Sequence, residues 1–291
     1  MKTARHVLKR FASSAERRSA AGVCDQPPVE ASSRLTPHAS HSAFSLIEML
    51  VVIAIIGIIA AISVPALNNF RKADADAAAT RQLADELANA RQRAIKDRTD
   101  VFMVFMPPVA NIGPTLTDAE VSSLLAAAAP ALRPAISNAL ALQYVGYALY
   151  SERSVGDQPG QRTPRYLTEW RSLPQGVFIA SNKFVVFDNG VFPFSYRLFP
   201  FPTVDSPVSR PLPYVAFDYQ GSLFTLDNNG NKVFGFDQVI PLARGSVVPR
   251  RAGPPWLAEA REEPPGNSVT ISNHIRVDSL TGRARIERAR F

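Results

Sequence analysis

Residues 44–64 read Phe-Ser-Leu-Ile-Glu-Met-Leu-Val-Val-Ile-Ala-Ile-Ile-Gly-Ile-Ile-Ala-Ala-Ile-Ser-Val, an apolar run of 21 residues with one charge, Glu48. At a rise of about 1.5 Å per residue, roughly 20 apolar residues cross the hydrocarbon core of a bilayer. No other stretch of the 291 residues approaches that length, so the sequence predicts one transmembrane helix. The 43 residues before it hold Lys2, Arg5, Lys9, Arg10, Arg17, Arg18 and Arg34 against Glu16, Asp25 and Glu30, a net +4. The positive-inside rule then keeps the N-terminus in the cytoplasm and sends everything after Pro65 across the membrane. A plain secretory signal is the competing reading, but its apolar region runs to about 7–15 residues and ends in an A-x-A-like site. Glu48 is the anomaly. An unpaired carboxylate inside a membrane helix costs a few kcal/mol, so it marks function unless it reaches interfacial water.

The residues from Ser42 and Ala43 through Phe44, Ser45, Leu46, Ile47, Glu48, Met49 and Leu50 to Gly57 closely resemble the class III signal of type IV pilins and type II secretion pseudopilins. The resemblance implies cleavage by a prepilin peptidase between Ala43 and Phe44, then methylation of the new Phe44 amine. It assigns Glu48 the role of attracting the N-terminal amine of a neighbouring subunit during assembly. An ammonium is the natural partner of a carboxylate at low dielectric, which agrees. Gly57 and Pro65 stand where the family tolerates loss of helix on filament packing; glycine lowers helix propensity and proline removes a hydrogen bond. Ala43 replaces the family's usual glycine before the cut and keeps its small size. The leader is long for the family; its Ser, Ala and Pro enrichment over 13–42 reads as disordered, the alternative being a true start further downstream.

After Pro65 the apolar spacing becomes that of an amphipathic helix. Phe70, Ala73, Ala77, Thr80, Ala84 and Leu87 recur three and four apart, followed by Ala94 and Ile95, so a helix is expected over 66–97. Arg71, Lys72, Asp74, Asp76, Arg81, Asp85 and Glu86 read as its solvated face. Beyond Asp100, the run 101–106 is a buried strand. Thr117 and Glu120 form a capping box before an alanine-rich helix over 121–129, part of an insertion at 116–140. Strands are expected at 142–150, 176–180, 184–187, 214–217 and 222–225, with a turn at Asp227-Asn228-Asn229-Gly230. The proline-crowded stretches 200–213 and 249–265 read as loops. Alternation over 268–272 and 274–278, a turn at Thr281-Gly282, and 283–287 make a closing hairpin. The expected class is therefore α+β, a long N-terminal helix packed on an antiparallel sheet or sandwich head spanning 98–291. Leu173-Pro174, Gly176-Val177, the segment 215–221 and the closing hairpin resemble the head of H-type pseudopilins and related minor pilins.

The composition, 46% hydrophobic and 20% charged, excludes a collagen-like or wholly disordered chain. Cleavage removes the one cysteine, Cys24, and the histidines His6, His38 and His41, leaving His274 alone. Cys-His catalysis and Cys/His zinc sites are thereby excluded from the processed chain, and no phosphate-cradling glycine motif occurs. The expectation is a protein that is not an enzyme and needs no cofactor. Asp227, Asn228, Asn229 and Asp237 admit a calcium site, although a turn explains the first three. Gly282-Arg283-Ala284-Arg285 resembles the G-R-x-R element with which some minor pilins hold DNA. Arg283 and Arg285 share one strand face, and Arg276, Arg288 and Arg290 would extend a positive strip toward phosphates. The competing reading is a charged hairpin face, since secretion pseudopilins carry similar endings. Of the formal +7, the leader holds +4 and the last sixteen residues the other +3. The leading expectation is a minor pilin or pseudopilin in the bacterial inner membrane, its head in the periplasm. Its partners would be the prepilin peptidase and other pilins, with DNA the alternative; a membrane-anchored domain that never polymerises is a third reading.

Overall fold

Fifty-two residues, Leu46–Asp97, form one unbroken helix, α1. The computed structural model describes residues 45–110, 115–158, 160–185, 193–206, 208–250, 253–270 and 273–288, with the backbone alone for 64–73, 270 and 288. After α1 come β1 (Val101–Phe105), α2 (Asp118–Ala127), α3 (Arg133–Leu140), β2 (Gly146–Ser151), β3 (Arg165–Tyr166), β4 (Arg171–Ser172), β5 (Val177–Ile179), α4 (Asn182–Val185) and β6 (Ser195–Pro200). The chain continues through β7 (Ser209–Phe217), β8 (Leu223–Leu226), β9 (Lys232–Val233), β10 (Gln238–Pro249), β11 (Ala258–Glu262), α5 (Asn267–Thr270), β12 (Asn273–Val277) and β13 (Ala284–Arg288). An apolar N-terminal helix followed by antiparallel sheets is the expected α+β class. The chain divides into two units, Met1–Ala54 and Ile55–Phe291.

Within the second unit, two antiparallel sheets share the core. One runs β3-β2-β1-β7-β8-β9, with β4 also on β2 and β6 also on β7. The other runs β11-β10-β12-β13, with β5 also on β10. Ala79, Leu83, Leu87, Ala90 and Ala94 of α1 pack against Met103 and Phe105 of the first sheet and Ile240 and Ile275 of the second. On the opposite face of the first sheet, Phe102, Val104, Phe199 and Tyr214 pack with Val121 and Leu124 of α2 and Ile136 and Leu140 of α3. Every residue of β1 is buried. A strand covered on both faces has no polar side, which explains why 101–105 is continuously apolar rather than alternating. The alanine-rich insertion supplies that second cover.

Among the described side chains, the buried stripe of α1 is Asp76, Ala79, Thr80, Leu83, Leu87, Ala90 and Ala94, and the expected Phe70 and Ala73 side chains lie outside them. This corrects the expected stripe: Ala77 and Ala84 flank it half-buried, Ile95 is exposed, and Asp76 lies inside rather than on the solvated face. Apolar count places a stripe only to within about one residue's rotation, near 100°. Other expectations need correction too. Residues 142–145 form a turn in which Tyr144 has φ of 65°, and β2 starts only at Gly146. At 184–187, Phe184 and Val185 belong to the helical turn α4, which buries Phe184 and Lys183 together; 186 and 187 lie outside the described residues. Lys183 Nζ donates to Gln238 Oε1 at 3.1 Å and sits 4.7 Å from the Phe194 ring centre, and burial pushes its ammonium pKa down to about 7. Short apolar runs do not separate strand from helix.

The stretch 268–272 is no strand either: 268–270 belong to α5, and 271 and 272 lie outside the described residues. Here the Asn267 side chain takes the place of a ladder partner. Its Oδ1 accepts from Arg244 N–H, and its Nδ2 donates to Arg244 O, both at 2.8 Å. The proline-rich stretches are only partly loops. β7 contains Pro211 and Pro213, paired with Leu198 and Tyr196 of β6. Two apart on one strand, their nitrogens face the same edge, and β1 pairs only with Tyr214–Phe217, so that edge asks no hydrogen bond of them. Likewise β11 lies inside 249–265, pairing with the end of β10 between flanking prolines.

The capping box of α2 forms as read. Thr117 Oγ1 accepts from Glu120 N–H at 3.2 Å, and Glu120 Oε2 accepts from Thr117 N–H at 2.8 Å. The Thr117 backbone hydrogen bond holds the Glu120 carboxyl below its usual 4.5, against an opposing push from burial. Thr117→Ala is expected to cost about 1 kcal/mol in urea denaturation at neutral pH. Alanine keeps the backbone N–H, so the pH-dependent part of this cost is the Thr117 hydroxyl's bond to Glu120 Oε2 at 2.8 Å. Because the folded-state value is lowered, that part is present above about pH 4.5 and is lost on acidification through that lowered value. Denaturation midpoints of both proteins at pH 7 and pH 3.5 check it: the gap between them narrows at the lower pH.

Candidate functional site: the N-terminal helix and the C-terminal hairpin

Helix α1 starts on a cap absent from the sequence-level reading. Ser45 Oγ accepts from Glu48 N–H and Ser45 O accepts from Met49 N–H, both at 3.2 Å. Serine followed three residues later by glutamate is the readable signal. The window Leu46–Ser63 has a mean hydropathy of 2.8, and none of it is buried. Leu46, Ile47, Ile53 and Ile62 are each at least 66% exposed, so this surface finds no partner within the described residues. A helix apolar all round is stable only inside a membrane or a protein assembly. Glu48 lies exposed on this surface without an ion pair among the described residues. Ser63 satisfies its own hydroxyl by donating to Ile59 O at 2.8 Å.

The other N-terminal candidates divide between described and undescribed residues. Ala43 and Phe44 lie outside the described residues, as do Cys24, His6, His38 and His41. α1 runs helically through both Gly57 and Pro65. A Cβ added at Gly57 would meet nothing within 4 Å, so the fold of the single chain gives no reason for glycine there.

At the other end, β12 and β13 form the expected hairpin, with Ile275 opposite Ile286 and Arg276 opposite Arg285. Gly282 closes it with φ of 61°, and an added Cβ would stand 1.9 Å from Gly221 O, so only glycine fits. Strand alternation puts Arg285 and Glu287 on the polar face with His274 and Arg276. Arg276 Nε donates to Glu287 Oε1 at 3.0 Å, and its Nη1 lies 3.5 Å from Asp237 Oδ2. His274 Nε2 is 3.1 Å from Glu287 Oε2. Burial would raise the Glu287 carboxyl, but the Arg276 hydrogen bond and charge, then His274, hold it below its usual value. Hydrogen bonds from Thr281 lower Asp278, with a smaller contribution from the Arg285 charge. Arg276 is thus committed to carboxylates rather than to an open strip. Arg283 and Arg285 remain exposed and without an ion pair among the described residues; Arg290 and the Arg288 side chain lie outside them.

A polar cluster around one buried carboxylate has no counterpart in the sequence pattern. Asp76 of α1 accepts from Arg244 Nη2 of β10 at 2.9 Å and from Asn273 Nδ2 of β12. It ties the helix to both strands, and an acidic residue at one stripe position among charged neighbours gave no local signal. The residues weighed for calcium stay apart in role. Asp227 accepts from the N–H groups of Asn229 and Asn231 within its own turn, and Asp237 faces Ser279 and Arg276. No group of three His, Cys, Asp or Glu able to hold a metal occurs among the described residues.

This is an α+β chain whose N-terminal helix is long and apolar enough to cross a membrane and exposes one carboxylate. The prokaryotic N-terminal methylation motif matches residues 39–64, which include the expected cleavage position and the apolar run. No curated protein and no solved structure matches the chain. The motif supports a pilin- or pseudopilin-type chain and is consistent with the type IV pilin and pseudopilin family, whose members are structural rather than enzymatic.

Proposed function

We propose that the chain is a minor pilin or pseudopilin, a structural subunit of a type II secretion or type IV pilus-like filament. It is made as a prepilin, cut between Ala43 and Phe44, methylated at Phe44 and held in the bacterial inner membrane with its head in the periplasm. Assembly rests on the apolar half of α1 packing against neighbouring pilins, with Glu48 drawing in a neighbour's amine and Gly57 and Pro65 allowing the helix to loosen. One observation carries this reading: the methylation motif coincides with a helix whose apolar surface is wholly exposed in the single chain. Removing 43 of 291 residues leaves 248, a bulky head better suited to a minor or initiating subunit than to a close-packed major one. Shearing filaments from cells that carry the assembly machine tests the reading. The chain is expected in the filament fraction, and in the membrane fraction once the assembly ATPase is deleted. Membrane retention in both strains favours an anchored domain that does not polymerise.

A second reading, a DNA-binding minor pilin for uptake, draws support from exposed Arg283 and Arg285. The surrounding Asp237, Asp278 and Glu287 weigh against a continuous positive strip, since phosphate binding grows with net cationic contacts. Filter binding of the full chain in detergent separates the two. DNA uptake requires salt-sensitive retention that Arg283→Ala with Arg285→Ala abolishes; a filament role alone leaves no such retention.

A further inference from the structure

β13 is an edge strand with an unusual composition. Among the described residues it pairs with β12 alone. Asp278 N–H donates to Arg283 O at 3.1 Å, which sets the ladder's phase. Alternation from that bond turns the backbone groups of Arg285 and Glu287 inward to β12, and those of Ala284, Ile286 and Arg288 outward. Proteins blunt such an edge with proline, a bulge, a short strand or charged side chains. β13 is short and carries Arg285, Glu287 and Arg288, so only a partner that sets unlike charges opposite one another can pair with it. Here Ile286 sits at the centre of the free edge, on the core face, and is 41% exposed while Ile275 opposite it is fully buried. The core is left open on one side at this residue.

We propose that this edge pairs with the same edge of a second copy, β13 against β13 antiparallel, about a two-fold axis at Ile286. The charge pattern selects the register. Centring the axis on Arg285 or Glu287 sets like charges opposite each other and uses inward-facing backbone. A centre at Ala284 puts Arg285 opposite Arg283. At Ile286 alone, Arg285 of each copy faces Glu287 of the other, and the two Ile286 side chains meet on the core face. The outward N–H and C=O groups of Ile286 then bond to each other, and those of Ala284 to Arg288. The contact is isologous, the same patch on both copies, so it closes at two and cannot propagate. That sets it apart from the helix packing of a filament shaft and fits a subunit present in small number. It does not rest on the proposed function.

The full chain with its one cysteine replaced, Cys24→Ser, is studied in detergent micelles by sedimentation across a range of concentration. A reversible dimer is expected for this chain and for Ile286→Val. Proline at 286 removes only an outward N–H, so Ile286→Pro retains the fold's own ladder and is expected to weaken the dimer at least roughly tenfold. Cysteine pairs give an independent reading. Residues 285 and 287 face each other at about 4.5 Å between Cα atoms across a non-hydrogen-bonded pair, within disulfide reach. Mixing Arg285→Cys with Glu287→Cys chains is expected to give a cross-linked pair, and each alone little. A monomer at all concentrations, a dimer undiminished by Ile286→Pro, or cross-linking no greater in the mixture overturns the proposal.

Discussion

Glu48→Ala is expected to leave the chain processed and membrane-bound but nearly absent from sheared filaments. The helix itself does not need this side chain: Ser45 Oγ caps Glu48 through its backbone N–H, which alanine keeps. What is lost is the one charge in an apolar segment of membrane length. In low dielectric a carboxylate attracts an ammonium far more strongly than in water, and an unpaired one is costly to leave there. On the proposed role, removing it costs the growing filament a docking contact. Since about 1.4 kcal/mol is tenfold, a loss of tenfold or more in filament content is expected. Glu48→Gln, polar but uncharged, should be nearly as deficient, which separates charge from hydrogen bonding. Blotting membrane and filament fractions of the three strains reads the result. Undiminished incorporation of the alanine variant would remove Glu48 from assembly.

The second large effect lies in the head. Asp76→Ala breaks the only described tie in which one α1 carboxylate holds both β10 and β12, leaving Arg244 and Asn273 without it. Losing a partner in a fully buried pair costs about 3–5 kcal/mol. The Arg244 side chain is 40% exposed and can turn to water, so a loss of about 2 kcal/mol is expected. For a chain of this size that lowers the melting midpoint by roughly 6 °C. Asp76→Asn keeps a hydrogen-bonding oxygen and should lose about half as much. Replacement of exposed Asp85, in the same helix but outside the stripe, is the comparison and should change little. Equal midpoints for the Asp76 and Asp85 variants would show that the cluster contributes nothing.

Local chemistry made some elements legible and left others hidden. The membrane-length run, the Thr117 capping box, the turn at Asp227 and the Thr281-Gly282 hairpin each depend on residues within a few positions, and each appears as read. Features that depend on distant partners do not. Pro211 and Pro213 can lie in a strand because β1 ends its pairing before reaching them. Residues 268–270 leave the ladder because Asn267 occupies the Arg244 backbone and β11 the positions of β10 beyond it. Asp76 is buried because Arg244 and Asn273, from strands late in the chain, come to meet it. The candidate site divides in the same way: Glu48 stands out against its own neighbours, whereas neutralisation of Arg276 requires knowing that Glu287 lies diagonally across the hairpin.

The central claim is that the chain is a prepilin whose working form begins at Phe44. Mass spectrometry of the chain extracted from membranes of cells expressing a prepilin peptidase tests it most directly. The account predicts loss of the first 43 residues and an N-terminal peptide starting at Phe44 that carries one added methyl group. An intact leader, or a cut beyond Val64 that discards the apolar helix, would contradict it.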